Sequence, residues 1–185
     1  RLKNAIDPGY VTPNQLKIGT CAVKECLEKV REATHWKERH QKPKVEGNIA
    51  TGIGVSATTY ISGMRIRGHS ACACTVKVHE DGTVSLLTGA TDAGQGSDTI
   101  LAMIVAEELG VALDDINVSL LDTQNTPADP GTYSSRVTTC AGPAAKLAAE
   151  DARKQLAEVA AEMLGTDMQD VGFKDHRVFV KSNPR

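Results

Sequence analysis

Two polar stretches in this 185-residue chain combine residue types and spacings that could do chemistry. The first is Thr88-Gly89-Ala90-Thr91-Asp92-Ala93-Gly94-Gln95-Gly96, set between an apolar run (Val84, Leu86, Leu87) and a helical pattern. Gly94 and Gly96 have no Cβ, so the backbone can turn sharply there and a ligand can come close. Ser97 or Asp98 is placed to cap the helix, whose free N–H groups and positive dipole end favour a phosphate or another electron-rich group. Gln95 offers an amide donor and a carbonyl acceptor, which suits a heterocycle edge or a metal-bound oxygen. Two familiar phosphate loops do not fit. Gln95 stands where the loop of nucleoside triphosphatases needs Lys, and Thr99 stands where the dinucleotide fingerprint needs a third Gly. A glycine-rich turn with no ligand fits these residues equally well.

The second stretch is the polar run from Leu121 to Gly142, with Asp122, Thr123, Asn125, Asp129 and Gly131 ahead of Thr132-Tyr133-Ser134-Ser135-Arg136-Val137-Thr138-Thr139. A loop longer than about 15 residues inside a compact domain is usually functional or disordered. Its hydroxyls favour function: Ser134, Ser135, Thr138 and Thr139 can each bond a phosphate or ring edge, and Arg136 can hold a phosphate with two N–H groups. The competing possibility is a capping cluster with Arg136 in a structural salt bridge.

Elements must bring these stretches together. Alternation at Cys72, Cys74, Val76 and Val78 reads as a strand, and Glu80-Asp81-Gly82-Thr83 as a hairpin turn into the first loop. A helix with Ile100, Leu101, Ile104, Val105 and Leu109 inward follows, closed by Gly110. Ile116, Val118 and Leu120 alternate as the next strand. Pro143 then opens a second long helix, with a stripe of Leu147, Leu156, Val159, Ala160 and Met163 up to Gly165. The device of strand, polar loop and helix N-terminus therefore occurs twice.

Upstream, residues 1–19 are rich in turns. A helix is expected from a Thr20 cap, with Val23, Cys26, Leu27 and Val30 on one face. Gly47 to Gly68 reads as a glycine-interrupted strand followed by a mobile loop at Ile61 to His69. His35 and His40 are too badly spaced to share a helix face and read as solvated surface. Cys72 and Cys74 read as core cysteines rather than metal ligands.

Composition narrows the class. Aromatics are only 3%, so Ala, Val, Ile and Leu must build the core, and a net charge of −2 argues against a nucleic-acid or acidic-membrane surface. No apolar run approaches the ~18 residues of a membrane span. No signal-peptide pattern opens the chain. Five cysteines at irregular spacing fit free thiols in a reducing compartment, and a cytoplasmic location is expected. Both ends look cut, as in a fragment of a longer polypeptide.

Thr91-Asp92-Ala93-Gly94-Gln95-Gly96-Ser97-Asp98-Thr99, with Ala106-Glu107-Glu108-Leu109-Gly110, resembles the Gly-Gln-Gly segment of the molybdenum hydroxylase (xanthine dehydrogenase/aldehyde oxidase) large subunit. Asp122-Thr123 and Gly131 to Thr138 resemble that family's second cofactor loop. Arg1-Leu2-Lys3-Asn4 and Cys26-Leu27-Glu28-Lys29-Val30 resemble the stretch before it. The wording Thr132-Tyr133-Ser134-Ser135-Arg136 is nearest the 4-hydroxybenzoyl-CoA reductase and carbon monoxide dehydrogenase branches.

The resemblance implies an α+β fold, a mixed β-sheet with two long helices packed on it. It assigns residues 1–45 to a connector and helix and 46–185 to a molybdopterin-binding segment. It also implies a molybdopterin that carries molybdenum, in the cytosine dinucleotide form. Ala93, Gly94, Gln95 and Gly96 would contact the pterin near the metal; Ser134, Ser135, Arg136 and Thr138 would sit on its pterin or phosphate side. No side-chain metal ligand set is present, and none is needed if dithiolene sulfurs hold the metal. Iron–sulfur and FAD subunits or domains would carry the electrons. The family's catalytic Glu and substrate-facing loops have no match in this chain, so no general base is named and the piece is expected to bind without turning over. A ligand-free scaffold and a nucleotide-binding module are the competing readings.

Overall fold

The computed structural model describes residues 1–39, 44–60, 62, 71–119 and 121–183. His40, Leu120 and, Ser62 apart, the expected loop at Ile61 to His69 lie outside them. The chain divides into two compact units, Arg1–Tyr60 and Ile61–Arg185. The sequence placed a boundary at residue 45; the later division keeps the hairpin of β1 (Lys44–Glu46) and β2 (Ile49–Thr51) in the first unit.

In the first unit, helix α1 (Val23–Ala33) starts after Ala22, with no side-chain cap, rather than after Thr20. Val23 and Leu27 are half-buried, and a shallow groove separates the helix from Val55–Thr58. The glycine-interrupted strand expected from Gly47 reduces to the three exposed residues of β2. His35 is an exposed left-handed residue, and the Arg39 guanidinium lies 4.3 Å from the Trp36 ring centre.

The second unit is built on a three-stranded mixed sheet in the order β3-β4-β5. Strand β3 (Cys74–Val78) pairs antiparallel with β4 (Val84–Thr88), from Cys74 opposite Thr88 to Val78 opposite Val84. Strand β5 (Ile116–Val118) pairs parallel with β4. Helix α2 (Ser97–Leu109) makes the crossover between the parallel strands, as that connection requires. Helix α3 (Gly142–Leu164) is entered through a π-helical turn at Val137–Ala141, so helical winding begins ahead of the expected start at Pro143. A second hairpin, β6 (Val171–Lys174) and β7 (Arg177–Val180), turns on left-handed Asp175 and His176. It docks on the end of α2 through the His176 N–H to the Gly110 carbonyl, 3.1 Å. A Cβ on Gly110 would lie 2.7 Å from the Phe173 backbone, so this close approach needs glycine.

The core joins Val84 and Leu86 of β4 to Leu101, Ala102, Val105, Ala106 and Leu109 of α2 and Ala141, Ala145 and Ala149 of α3. Two expected faces are corrected. Ile100 is 39% exposed, because the run Ile100 to Ala106 is apolar on every side of the helix and its burial follows Leu101 instead. On α3 the core-facing residues are alanines, whereas Leu147 is 66% and Met163 81% exposed. Small side chains let α3 approach α2 closely, leaving the bulky ones outside. No helix among the described residues is long and apolar enough to cross a membrane.

Candidate functional site

The first loop leaves β4 at Thr88, whose buried hydroxyl accepts the Ala90 N–H at 3.2 Å. Gly94 (φ 103°) and Gly96 (φ 77°) then turn the chain through the left-handed region, and Gly96, not Ser97 or Asp98, occupies the N-cap position of α2. The N–H groups of this turn converge on Asp92. Its carboxylate accepts from Gly94 at 2.7 Å, Gly96 at 3.3 Å and Asp98 at 3.3 Å. These bonds, the one from Gly94 foremost, hold the Asp92 carboxyl below its ordinary range. Asp98 is pushed the other way by burial and by the neighbouring charge of Asp92.

Gln95 folds back on the same turn. Its Oε1 accepts the Ala93 N–H at 2.7 Å, and its Nε2 donates to the Thr91 carbonyl and the Ser97 hydroxyl, each at 2.9 Å. The outer side of the turn stays open: no atom lies within 4 Å of where a Cβ on Gly94 or Gly96 would project.

The second loop is assembled in steps. Asp122 begins it by accepting the Gln124 N–H and the Asn125 amide at 2.8 and 2.7 Å, a side-chain-closed turn. Further on, Asp129 and Arg136 form an ion pair of 2.6 Å whose side chains are 2% and 0% exposed. Asp129 also accepts the Gly131 N–H at 2.8 Å. The terminal guanidinium nitrogens also donate to the Gly131 carbonyl (2.8 Å), the Ala71 carbonyl (3.3 Å) and Cys72 Sγ (2.8 Å), while the buried Nε has no partner among the described residues. Burial works against the charge on Arg136, but the Asp129 carboxylate outweighs it and raises the guanidinium pKa. Burial foremost, then the bond to Asp129, pushes the Cys72 thiol up to about 12. Arg136 is therefore the post on which the loop is wound, the salt-bridge alternative of the sequence reading, and its terminal nitrogens point inward.

Above this post, Ser134 (φ 51°) and Ser135 (φ 56°) are consecutive left-handed residues, a conformation that costs about 1 kcal/mol or more each outside glycine and is retained where surrounding contacts impose it. Ser134 is buried, while Ser135 and Thr138 face outward. The first backbone bond of the winding is Cys140 N–H to the Arg136 carbonyl, 2.8 Å, so the N–H groups of Val137, Thr138 and Thr139 precede it. No acidic residue lies in this first turn.

The two loops are fastened together. Thr132 Oγ1 accepts the Thr91 N–H and donates to the Thr91 carbonyl, both at 2.9 Å. Gly89 lies against the second loop so closely that a Cβ there would sit 2.3 Å from the Pro127 carbonyl oxygen. The helices behind them run in the same direction. Gly142 faces Ile104, and one turn later Glu108 reaches Lys146 at 3.6 Å and, further along α3, Arg153 at 2.8 Å. Both helix heads therefore open at one end of the sheet, where β4 finishes and β3 begins. In open sheets with parallel strands, ligands bind at the carboxyl ends of those strands.

Of the residues singled out in sequence, Ala93, Gly94, Gln95, Ser135 and Thr138 are exposed at this end, Gly96 is half-buried, and Ser134 and Arg136 are buried beneath it. Thr91, Asp92, Asp129, Thr132 and Cys72 had no assigned part in the site. The Asp92 spacing, two residues before a glycine, is the signal of a side-chain-closed turn; the partners of Thr132 and Cys72 leave no local signal.

The family model described as Molybdopterin cofactor-binding domain matches residues 29–185. The chain is 35% identical over 185 residues to the xanthine dehydrogenase molybdenum-binding subunit of Escherichia coli O157:H7, covering 98% of this chain and 25% of that protein. It is 31% identical to the carbon monoxide dehydrogenase large chain of Afipia carboxidovorans, covering 100% of this chain and 25% of the relative. Among solved structures, reconstituted CO dehydrogenase from Oligotropha carboxidovorans superposes with a TM-score of 0.59 at 28% identity, covering 100% of this chain and 25% of that one. Quinoline 2-oxidoreductase from Pseudomonas putida 86 gives 0.58 at 30% identity, over 61% of this chain and 14% of the other. The chain thus spans about a quarter of the length of these curated relatives.

Proposed function

The chain belongs to the molybdopterin cofactor-binding domain family, as a region of a xanthine dehydrogenase-type molybdenum oxidoreductase large subunit, and from that premise we propose how its two loops share the cofactor. Ala93, Gly94, Gln95 and Gly96 line the side that meets the pterin. Ser135 and Thr138, with the N–H groups at the head of the winding into α3, take the phosphates of the cytosine dinucleotide form. Ser134 and Arg136 contribute by shaping the loop that presents them. The observation that carries this reading is the reciprocal Thr91–Thr132 pair, which binds the two loops at one end of two parallel helices.

The residues fit such a group. The open space beside Gly94 and Gly96 admits a flat ring edge, and the second head brings the N–H groups of Val137, Thr138 and Thr139, which have no backbone partner among the described residues, beside hydroxyls. When bound, the cofactor would supply two-electron redox chemistry at molybdenum, for oxygen insertion or for reductive dehydroxylation. The protein's part is to hold and orient it: backbone turns set the approach, and the Asp129–Arg136 pair fixes the second loop. Turnover requires the catalytic Glu and substrate-facing loops of the remaining large subunit, and electrons pass through iron–sulfur and FAD partners. Five unpaired cysteines support a cytoplasmic setting. A finer kinship with 4-hydroxybenzoyl-CoA reductase or aldehyde oxidase rests on sequence wording alone.

The internal satisfaction of Gln95 favours a second reading, a scaffold whose glycine turn carries no ligand. The two readings separate in the large subunit bearing Gln95→Ala or the pair Ser135→Ala and Thr138→Val. Molybdenum and released cytidine nucleotide are measured per subunit beside a thermal melt. Loss of both with an unchanged melt is the expected result; unchanged molybdenum in both variants returns the loops to the scaffold reading.

A further inference from the structure

We infer that Cys72 is a positioning residue for the cofactor: its thiol closes a ring with Asp129 and Arg136 that ties the second loop to the entry of β3, and so sets where Ser135 and Thr138 are presented. The inference rests on the cofactor reading above and deepens it, by naming a residue outside both loops on which retention depends. The chemistry of the three groups leaves one way to close the ring. A guanidinium only donates and an ionised carboxylate only accepts, whereas a thiol does both. Arg136 donates to Asp129 at 2.6 Å and to Cys72 Sγ, 64 residues upstream, at 2.8 Å. The Cys72 S–H completes the circuit by donating to Asp129.

Burial makes this link matter. The Asp129 and Arg136 side chains are 2% and 0% exposed, so water does not readily replace a bond lost between them and the thiol. The Arg136 Nε has no partner among the described residues, which leaves the two terminal nitrogens to fix the guanidinium. One of them holds the loop itself, through Asp129 and the Gly131 carbonyl. The other reaches the approach to β3, through Cys72 and the Ala71 carbonyl. The loop above is strained, because Ser134 and Ser135 are both left-handed, and such a conformation persists only where the surroundings impose it. Without the thiol, that nitrogen keeps only the longer 3.3 Å bond to Ala71. The strained serines then have room to relax and to carry the Ser135 and Thr138 hydroxyls away from the cofactor. Cys72 remains a donor at neutral pH, since burial foremost holds its thiol up at about 12.

The test uses the full large subunit and reads molybdenum and released cytidine nucleotide per subunit, a thermal melt and amide hydrogen exchange. Cys72→Ala removes donor and acceptor together. Its cofactor content should fall about fivefold or more, and exchange should quicken about threefold or more across 129–138. Cys72→Ser restores both hydrogen-bonding roles and should keep at least about half of the native content. Val84→Ala opens a cavity in the core at the far end of β4, and should lower the melt at least as far while leaving cofactor content native. Cys72→Val, which fills the space without a polar atom, repeats the first arm if the alanine variant does not fold. Native cofactor content in the alanine or valine variant overturns the inference. So does a serine variant as depleted as the alanine one, or equal depletion in Val84→Ala. Unchanged molybdenum in the Ser135/Thr138 variant removes the cofactor reading instead, and exchange across 129–138 then still shows whether Cys72 holds the loop.

Discussion

The first loop and the second loop use the same sequence of parts, a strand, a polar run and a helix, yet they are held in different ways. The first is wound on contacts two to six residues apart, with Asp92 gathering the amides of its own turn and Gln95 closing on Thr91 and Ala93. The second is wound on a buried ion pair whose arginine also reaches back 64 residues to Cys72 and 65 to Ala71. A loop built locally spends its donors on itself. A loop supported from beneath can leave its outer donors for a guest.

Removing one anchor from each loop tests this contrast most severely. Arg136→Ala leaves Asp129 buried without its partner and should cost about 3–5 kcal/mol, read from the midpoint of denaturant unfolding. Gln95→Ala, at an exposed position, should cost less than about 1 kcal/mol. Equal losses would break the distinction.

A smaller effect is expected where the loops meet. Gly89→Ala places a methyl group 2.3 Å from the Pro127 carbonyl oxygen and 2.8 Å from Asp129 Cβ. The loops must part to accept it, at about 1–3 kcal/mol. Molybdenum content of the large subunit should fall along with stability; if it stays at the native level, contact between the loops is dispensable for cofactor retention.

Acid gives the mildest test. Burial raises the Asp129 pKa, but its bonds with Cys72, the Gly131 N–H and Arg136 outweigh this and leave it below the ordinary value. Asp92 is lowered too, chiefly by the Gly94 N–H. A carboxylate with a depressed folded pKa contributes its stability in full above its unfolded value, about 3.9, and loses it as pH falls through the lower folded one. Neither group should therefore change stability between about pH 5 and 8, and both should weaken it below about pH 4. Because Asp129 supports a buried pair whereas Asp92 caps a local turn, acid should speed amide exchange across all of 129–142 but only around 93–98 in the first loop.

Legibility followed the range of the interactions. Strand alternation over Cys74 to Val78, two residues shorter than the pattern from Cys72, the hairpin at Asp81 and Gly82, and both long helices agree with local pattern and turn chemistry. Helix faces were harder to read. In α2 every position from Ile100 to Ala106 is apolar, so periodicity did not single out Leu101 and Val105 over Ile100. In α3 the alanines face the core, although hydrophobicity alone favours the leucines. At the site, the glycine turn and the hydroxyl cluster were visible as residue types, while Arg136 stood open between phosphate holder and structural salt bridge and its partner Asp129 was not named.

The sequence by itself determined that two polar loops would each lead into a helix, and that the glycines of the first would turn sharply. Those outcomes depend on φ preferences and on bonds between near neighbours, which any chain with these residues carries with it. Only the tertiary structure decided that Thr91 would meet Thr132, 41 residues away, and that Arg136 would be buried against Asp129 beneath the second loop. Such contacts arise after α2 and α3 pack in parallel on one sheet, and no local preference encodes the level at which two distant helices come to rest.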